Sequence, residues 1–177
     1  MQITMNIRLI NFSDAVKLSE YYQKNAKHFR KWEPRQAYNF HSIENWNERI
    51  RERVFEQEQG NAAYIAGFDH TKGEIIGHCT LSQIYYGPFQ ACYMGYGISK
   101  EYEGTGKMQK ICQFAIEHAF HRLGLNRIMA NYLPHNNRSA KLLKTLGFTI
   151  EGFARDYLKI NGKWHNHVLT SLVNNND

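Results

Sequence analysis

The stretch "CYMGYGISKEYEGTGKMQKICQFAIEHAF", Cys92 to Phe120, decides the fold. An aromatic, strand-like run that contains Gly95 and Gly97 leads into a turn with Gly104 and Gly106, and a long amphipathic helix pattern follows. Glycine lets the backbone turn tightly, and a helix that begins after such a turn directs its first N–H groups and the positive end of its dipole at the turn. This pattern predicts that the turn binds an anion such as a phosphate or a pyrophosphate.

The two strand glycines extend the predicted site. Glycine inside a strand weakens pairing and usually marks a bulge or the close approach of another backbone or a ligand. A strand that separates from its neighbour leaves backbone donors and acceptors free, and a ligand with amide groups can pair with them as an extra strand. Coenzyme A fits both features, because it carries a pantetheine arm with amide groups next to a diphosphate.

Individual residues exclude the two most familiar phosphate loops. A Walker A loop needs glycine where Glu101 stands and Ser or Thr where Met108 follows Lys107. A dinucleotide-binding GxGxxG needs glycine in place of Gln109 or Lys100. The turn is therefore an anion site of another kind, or a plain loop that uses glycine before a helix.

Length and composition predict one domain. The chain has 177 residues, of which 42% are hydrophobic, enough for one substantial core. We expect a single domain over residues 1–173, a disordered tail over 174–177 and a cytoplasmic location, because the sequence has neither a long apolar run nor a signal-peptide pattern. A net charge of +6 and a pI near 9.2 favour anionic partners, such as a phosphorylated cofactor or an RNA-rich particle.

Neither the cysteines nor the histidines indicate a disulfide or a metal site. Cys79, Cys92 and Cys112 are odd in number, lack CxxC spacing and lie in predicted strands or a helix, where a thiol packs as a small apolar group. The HExxH motif is absent, and His118 and His121 have no Cys or carboxylate set at ligand spacing. We expect no bound metal.

The hydrophobic pattern predicts an α+β (α/β) fold. An alternating first strand over residues 3–10 precedes two helices that begin after the N-caps Ser13 and Ser42. Three strands over 61–99, joined by Gly and Pro turns, predict an antiparallel meander. The helix over 106–123 and the strand after it complete a β-α-β unit, which implies a parallel strand pair.

The rest of the chain supplies a helix, a hairpin and a loop. A helix is predicted from about Asn137 to Gly147, and two strands are predicted around an Asn161-Gly162 turn. Between the first two helices, residues 28–40 are irregular and rich in aromatic and charged side chains, a composition typical of binding loops.

These motifs resemble those of the GCN5-related N-acetyltransferase (GNAT) superfamily. The family signature between the fourth strand and the third helix is similar to "EGTGKM" at 103–108, with Glu for the usual Gln or Arg and Met for the last glycine. The second motif, N-x-x-A/S-x-x-x-Y-x-x-x-G-F, is matched, with leucine for the tyrosine, by Asn136, Ser139, Leu143, Gly147 and Phe148. Segments such as "KWEP", "RIMANYLPHNNRS" and "EGFARDYL" resemble RimJ/RimL-type ribosomal-protein alanine N-acetyltransferases over residues 31–170.

The resemblance implies both the fold and the reaction. The expected GNAT fold is a mixed, mostly antiparallel central sheet of about seven strands, splayed between strands four and five and flanked by helices. The expected reaction is direct transfer of an acetyl group from acetyl-CoA to the N-terminal alanine, or a similar small residue, of a protein. A ribosomal protein is the implied substrate, with ribosome association as a corollary, and neither membrane nor metal is implied.

The resemblance also implies an acid and a base. The family's acid tyrosine falls at Leu143, which cannot donate a proton, whereas Ser139 matches the serine proposed as the acid in the ribosomal branch. Alternatively, Ser139 caps its helix or hydrogen-bonds coenzyme A. Tyr93 stands where many relatives place a basic glutamate, and tyrosine is a poor base at neutral pH. Glu33 in "KWEP" is therefore the first candidate base and Asp156 the second, with a structural ion pair as the alternative role of Glu33 and water as the alternative base.

Cofactor contacts follow from the same resemblance. The backbone of Gly97, Ile98 and Ser99 is expected to pair with the pantetheine arm. The loop expected to bind the pyrophosphate consists of Glu103, Gly104, Thr105, Gly106, Lys107 and Met108. Asn136, Ser139 and, with less support, Asn131 are expected to contact the cofactor through their side chains.

Two other functions fit the sequence. A GNAT enzyme that acetylates a small-molecule amine would use the same cofactor site, with its acceptor read by loops near 28–41 and 84–90. A non-catalytic ribosome- or RNA-binding module would use the positive charge and the loop aromatics Trp32, Tyr38, Phe40 and Trp46.

Overall fold

A computed structural model describes residues 5–34 and 36–175. Its helices and strands are β1 (Met5–Leu9), α1 (Ala15–Phe29), α2 (Ile43–Glu58), β2 (Ala63–Asp69), β3 (Ile75–Tyr85), β4 (Ala91–Ile98), α3 (Lys107–Glu117), β5 (Arg127–Met129), α4 (Asn137–Thr145), β6 (Thr149–Ile160) and β7 (Lys163–Val173). The predicted α+β class is confirmed. The predicted first strand extends to residues 3 and 4, which lie outside the described residues.

The seven strands form one mixed sheet in the order β1-β2-β3-β4-β5-β7-β6. The predicted meander is confirmed, because β2, β3 and β4 pair antiparallel in sequence order. The predicted β-α-β unit is also confirmed, since β4 and β5 run parallel with α3 between them along the chain.

The sheet opens between β4 and β5. The parallel pairing covers only Ala91–Tyr93 against Arg127–Met129. After this point the N–H groups of Ala130 and Tyr132 donate to carbonyls of β7, while β4 continues beside β3. The predicted strand after α3 is therefore short, because beyond Met129 the chain separates from β4 while it stays paired with β7. The splay implied by the family resemblance is confirmed.

Two apolar cores lie on opposite faces of the sheet. The first lies under α3 and α4 and includes the three cysteines, which are buried and free, as predicted. The second lies under α1 and α2 and is built largely from aromatic side chains around Trp46. Separate cores thus hold the helices on the two faces of the sheet. The opening between β4 and β5 lies between these two cores.

Local sequence signals explain most of the element boundaries. Ser42 caps α2 by accepting a hydrogen bond from the Asn45 N–H, as predicted. The predicted cap at Ser13 is wrong: Asn11 caps a single 3₁₀ turn that precedes α1 and shares a capping box with Asp14. Asn11, two residues before Ser13, accepts a hydrogen bond from an N–H group at the start of the turn and so takes the capping role that was predicted for Ser13.

The end of α3 and the final hairpin also follow from the sequence. The helix pattern predicted up to residue 123 continues beyond α3 as a π-helical turn at His118–Arg122. Asn161 and Gly162 connect β6 to β7 with φ values of 51° and 82°, as a two-residue Asn-Gly turn requires. In the predicted tail, the Asn174 N–H donates to the Asn126 carbonyl, and residues 176 and 177 lie outside the described residues.

Across residues 5–34 and 36–175, no helix is both long and apolar enough to span a membrane. The same part of the chain contains no group of three or more His, Cys, Asp or Glu side chains arranged to hold a metal ion.

Candidate active site

The glycine turn at residues 103–108, called the glycine loop below, is open to its surroundings at the start of α3. Gly104 and Gly106 have φ values of 73° and 76°, and a Cβ atom added to either would meet no atom within 4 Å. Gly106 is the N-cap of α3 and provides no side-chain cap, so the first N–H groups of the helix lack intrahelical partners. These donors and the open space beside them suit a phosphate group.

Three side chains of the loop make contacts within the protein. The Thr105 hydroxyl donates to the Tyr102 carbonyl at 2.6 Å. Lys107 places its Nζ atom 4.2 Å from the centre of the Tyr102 ring, and Met108 packs against the core under α3. The backbone of the loop, rather than these side chains, is therefore the part with donors available for the predicted anion.

Glu103 is paired with basic residues. Its carboxylate forms an ion pair with Arg138 at the start of α4, and its Oε1 lies 3.5 Å from His28 Nε2. Arg138 is largely exposed, with 74% of its side chain accessible. The pair joins the loop to α4 and offsets a negative charge beside the anion-binding donors.

The free edge of β4 faces the opening in the sheet. The Ser99 N–H already donates to the Ile76 carbonyl at 2.8 Å. Because backbone groups alternate in direction along an antiparallel ladder, Gly97 shares the direction of Ser99, and Ile98 and Tyr96 direct their N–H and C=O groups into the opening. Of the three residues expected to pair with pantetheine, Ile98 therefore has its backbone groups available.

Gly97 accommodates a close approach, but of a side chain rather than a ligand or a backbone. A Cβ atom at this position would lie 2.7 Å from His78 Cε1. Tyr21 holds this arrangement, because its hydroxyl lies 3.0 Å from His78 Nδ1 and donates to the Gly97 carbonyl at 3.3 Å. Burial lowers the pKa of His78 to about 3, so the imidazole is neutral. Gly95, in contrast, faces open space.

Ser139 lies across the opening from β4. Asn136 caps α4 by accepting from the Ser139 N–H at 3.2 Å, so the alternative in which Ser139 is the cap is wrong. The Ser139 hydroxyl lies 2.5 Å from the Tyr96 hydroxyl of β4. The candidate acid is thus linked to the strand whose free edge forms the other wall of the opening.

The other side of the opening contains a polar cluster. Asn131 donates to the Tyr157 hydroxyl at 2.9 Å and accepts from the Thr170 N–H at 3.3 Å. Burial and the neighbouring Tyr93 hydroxyl raise the pKa of Tyr157. Each end of the Asn131 amide thus makes one hydrogen bond within the sheet, and its expected contact with the cofactor stays a prediction.

Glu33 lies half-buried beside the second core. Burial raises the pKa of its carboxyl above the usual range, and the charge of Arg53 opposes this shift. No ion pair of Glu33 is found within the described part of the chain, so the structural ion-pair alternative has no support. A carboxylate with a raised pKa and no fixed partner is suited to accept a proton.

The loop that contains Glu33 approaches the start of α4. Trp32 stacks on His135, with ring centres 5.9 Å apart. Beyond His135 lies an open cavity of about 390 Å³, lined in part by Asp156 and Trp164. Asp156 lies on this cavity at a backbone irregularity of β6, with φ of 45°. Asp156 thus lines the cavity itself, whereas Glu33 is connected to it only through its neighbour Trp32.

Most of the aromatic residues predicted to stack on RNA bases are buried or covered by other side chains of the protein. Trp46 is completely buried, and Phe40 is covered by the Arg49 guanidinium at 4.0 Å. Only Tyr38 of the four predicted residues is a large exposed ring. A protein surface on which RNA bases would stack therefore has little support, and the RNA-binding alternative is not favoured.

Sequence reasoning missed Tyr96 and His78. Both residues act at β4 through partners distant along the chain, Ser139 and Tyr21, and no local motif marks such pairs. The alternation of side chains along β4 was the available signal for Tyr96, because it places this residue on the sheet face that α4 covers.

Known proteins show the same organisation. Residues 5–149 match the acetyltransferase (GNAT) domain. The chain is 40% identical to the [ribosomal protein uS5]-alanine N-acetyltransferase of Escherichia coli K12, over 94% of this chain and 86% of that protein. The crystal structure of ribosomal-protein-S5-alanine acetyltransferase from Vibrio fischeri matches with a TM-score of 0.94 and 39% identity, over 97% of this chain and 94% of that one.

A more distant structure has the same fold. Mycobacterium smegmatis RimJ in complex with CoA-disulfide matches with a TM-score of 0.86 and 24% identity, over 96% of this chain and 81% of that one. The domain match and the identity to the Escherichia coli enzyme confirm the family expected from the sequence motifs and the acetyltransferase activity. The chain belongs to the GNAT family of acetyltransferases.

Proposed function

We propose that the chain is an acetyl-CoA-dependent Nα-acetyltransferase that modifies the N-terminal alanine, or a similar small residue, of a ribosomal protein in the cytoplasm. The observation that carries the proposal is the opening between β4 and β5, which is bordered by the glycine loop and by the Ser139 hydroxyl. The substrate class is supported by the activities named for the Escherichia coli and Vibrio fischeri relatives.

The residues around the opening fit acetyl-CoA. The N–H groups at the start of α3 would hold the pyrophosphate, with Gly104 and Gly106 leaving room for it. The backbone of Ile98 would pair with the pantetheine amides, and the amide nitrogen of Asn136, whose oxygen caps α4, would donate to the same arm. When bound, acetyl-CoA supplies the acetyl group as a thioester and leaves as a thiol.

The chain's own groups manage the protons of the transfer. The acceptor nitrogen forms a bond to the acetyl carbon as the carbon–sulfur bond breaks, so the nitrogen loses one proton and the sulfur gains one. Glu33, in its ionised form, accepts the proton from the amine directly or through water. Ser139 donates a proton to the sulfur and is restored from solvent.

An N-terminal amine suits this arrangement. An α-amino group has a reference pKa of about 7.7 to 8.0, against about 10.4 for lysine. A substantial fraction is therefore unprotonated near neutral pH, and a single carboxylate with a raised pKa is a sufficient base. The open cavity beside Asp156 and Trp164 leaves room for the residues that follow the acceptor alanine.

Mass spectrometry of a peptide panel tests the proposal. Peptides that differ only in the first residue are incubated with acetyl-CoA and the protein, in parallel with polyamines and aminoglycosides. We expect one acetyl group on the α-amine, with alanine and other small first residues modified fastest. Turnover restricted to the small amines would refute the protein substrate and favour the small-molecule alternative.

A further inference from the structure

One contact crosses the opening in the sheet at the level of the candidate acid. Tyr96 belongs to β4 and Ser139 to α4, and their hydroxyl oxygens lie 2.5 Å apart. Ser139 is the sole hydrogen-bond partner of the Tyr96 hydroxyl within residues 5–34 and 36–175. The Ser139 hydroxyl likewise has Tyr96 as its sole side-chain partner in that part of the chain.

Either hydroxyl could donate in this hydrogen bond, and the surroundings of Tyr96 favour one direction. Burial raises the pKa of the Tyr96 phenol, so the group keeps its proton at neutral pH. A buried hydroxyl that does not donate loses free energy, and Ser139 Oγ is the acceptor within reach. Donation from Tyr96 to Ser139 satisfies the phenol and leaves the hydrogen of Ser139 free for another acceptor.

We infer that Tyr96 is a positioning residue: it donates to Ser139 Oγ and holds the Ser139 hydrogen toward the opening between β4 and β5. This inference rests on the proposed function, in which that hydrogen goes to the thioester sulfur. As the serine oxygen loses its proton, the bond from Tyr96 stabilises the negative charge that develops on it, because hydrogen bonds to charged acceptors are the stronger ones. Tyr96 itself keeps its proton.

Four variants separate this role from a packing role. Tyr96→Phe removes only the phenol oxygen, Ser139→Ala removes the acid, and the third variant combines both changes. Tyr64→Phe is the matched control, since the Tyr64 hydroxyl also makes a 2.5 Å hydrogen bond, to Glu56, on the α2 side of the sheet. For each variant we measure kcat, KM for the peptide, CoA affinity by calorimetry and thermal unfolding without ligand.

We expect Tyr96→Phe to lower kcat about tenfold, equivalent to about 1.4 kcal/mol, with KM and CoA affinity within about twofold of wild type. The double variant should be no slower than Ser139→Ala, because Tyr96 acts through Ser139. Tyr64→Phe should keep wild-type kcat. In the ligand-free protein, the Tyr96 hydroxyl proton should give a downfield NMR resonance that moves upfield in Ser139→Ala.

Three results would overturn the inference. One is an unchanged kcat in Tyr96→Phe, and another is a double variant whose loss equals the product of the two single losses. The third is CoA binding weakened as much as kcat is lowered, which would make Tyr96 a wall of the cofactor site. All three require an active wild-type enzyme, whereas wild-type protein that acetylates no peptide refutes the proposed function instead.

Discussion

Glu103 and Arg138 form an ion pair between the glycine loop and the first turn of α4. A carboxylate beside the proposed phosphate site would oppose anion binding, and Arg138, 35 residues further along the chain, offsets that charge. We expect the pair to let this chain tolerate glutamate at the position where the resemblance to the family signature implies Gln or Arg.

Removing Arg138 and removing the charge of Glu103 should change CoA affinity in opposite directions. Arg138→Ala leaves the carboxylate unbalanced and should weaken CoA binding by about tenfold, while unfolding stability changes by less than about 1 kcal/mol because Arg138 is largely exposed. Glu103→Gln removes the negative charge and should strengthen binding several-fold. Calorimetry at low and high salt measures both effects, which should shrink as salt rises. Equal weakening by the two variants would instead indicate that Glu103 contacts the cofactor directly.

Gly106 should be needed for cofactor binding more than for folding. Gly106→Ala forces a side chain into a left-handed conformation with φ of 76°, at a cost of about 1 kcal/mol. A shift of this residue also misdirects the first N–H groups of α3, so CoA affinity should fall about tenfold or more. Calorimetry and chemical unfolding measure the two quantities.

Gly124→Ala is the control for this experiment. Gly124 has φ of 63° and faces open space after the π-helical turn, so its replacement carries a similar strain at a site away from the loop. We expect a comparable loss of stability and unchanged CoA affinity. If both variants weaken CoA binding equally, the loop has no specific role.

Glu33→Gln should lower activity and raise stability. Burial raises the pKa of Glu33 in the folded protein, so the folded state binds this proton more tightly than the unfolded state. Stability therefore falls as pH rises from the ordinary pKa of Glu toward the raised one, and the penalty is complete above both. At pH 7.5 the variant should unfold at a higher temperature than wild type.

The pH dependence of kcat separates catalysis from stability at this position. The acid limb of the wild-type profile should lie above the ordinary pKa of Glu and disappear in Glu33→Gln, with kcat lower by at least tenfold at neutral pH. Asp156→Asn is the comparison, because it neutralises the second candidate carboxylate. If Asp156→Asn removes the acid limb and Glu33→Gln retains it, Asp156 is the base.

His78 should make the fold sensitive to acid. Its ring lies among aromatic side chains, its pKa is lowered to about 3 by burial, and the Arg53 charge adds to this shift. The unfolded chain therefore takes up this proton first, so the stability contribution is complete above about pH 6.5 and is lost as pH falls toward 3. Urea unfolding between pH 7.5 and 4.5 should show a decline that His78→Gln reduces and the exposed-site change His121→Gln does not. Equal declines in all three proteins would contradict this assignment.

Much of the fold was predictable because its signals are local. The meander follows from Gly and Pro turns, the last hairpin from Asn161-Gly162, and the start of α2 from Ser42. The cap at Ser13 was misassigned because Asn11 offers a competing cap within the same few residues. Signals of this kind fix where elements begin and end, and they do so to within a few residues.

The site was predictable only where the backbone defines it. The glycine loop and the opening beside β4 follow from residue types within one stretch, and the family motifs add Ser139 and Asn136. The contacts of these residues depend on tertiary packing: Tyr96 meets Ser139 across 43 positions, and Arg138 reaches Glu103 from another element. No local pattern specifies such pairs. The sequence therefore left open both the identity of the base and the residue that hydrogen-bonds to the candidate acid Ser139.

The proposed function is tested most directly by tandem mass spectrometry of unacetylated ribosomal protein uS5, the substrate named for the Escherichia coli relative, incubated with acetyl-CoA and this enzyme. The account predicts one acetyl group on the α-amine of the N-terminal residue, and strongly reduced modification by Ser139→Ala. Acetylation confined to lysine side chains, or no acetylation by a protein that binds CoA, would contradict it.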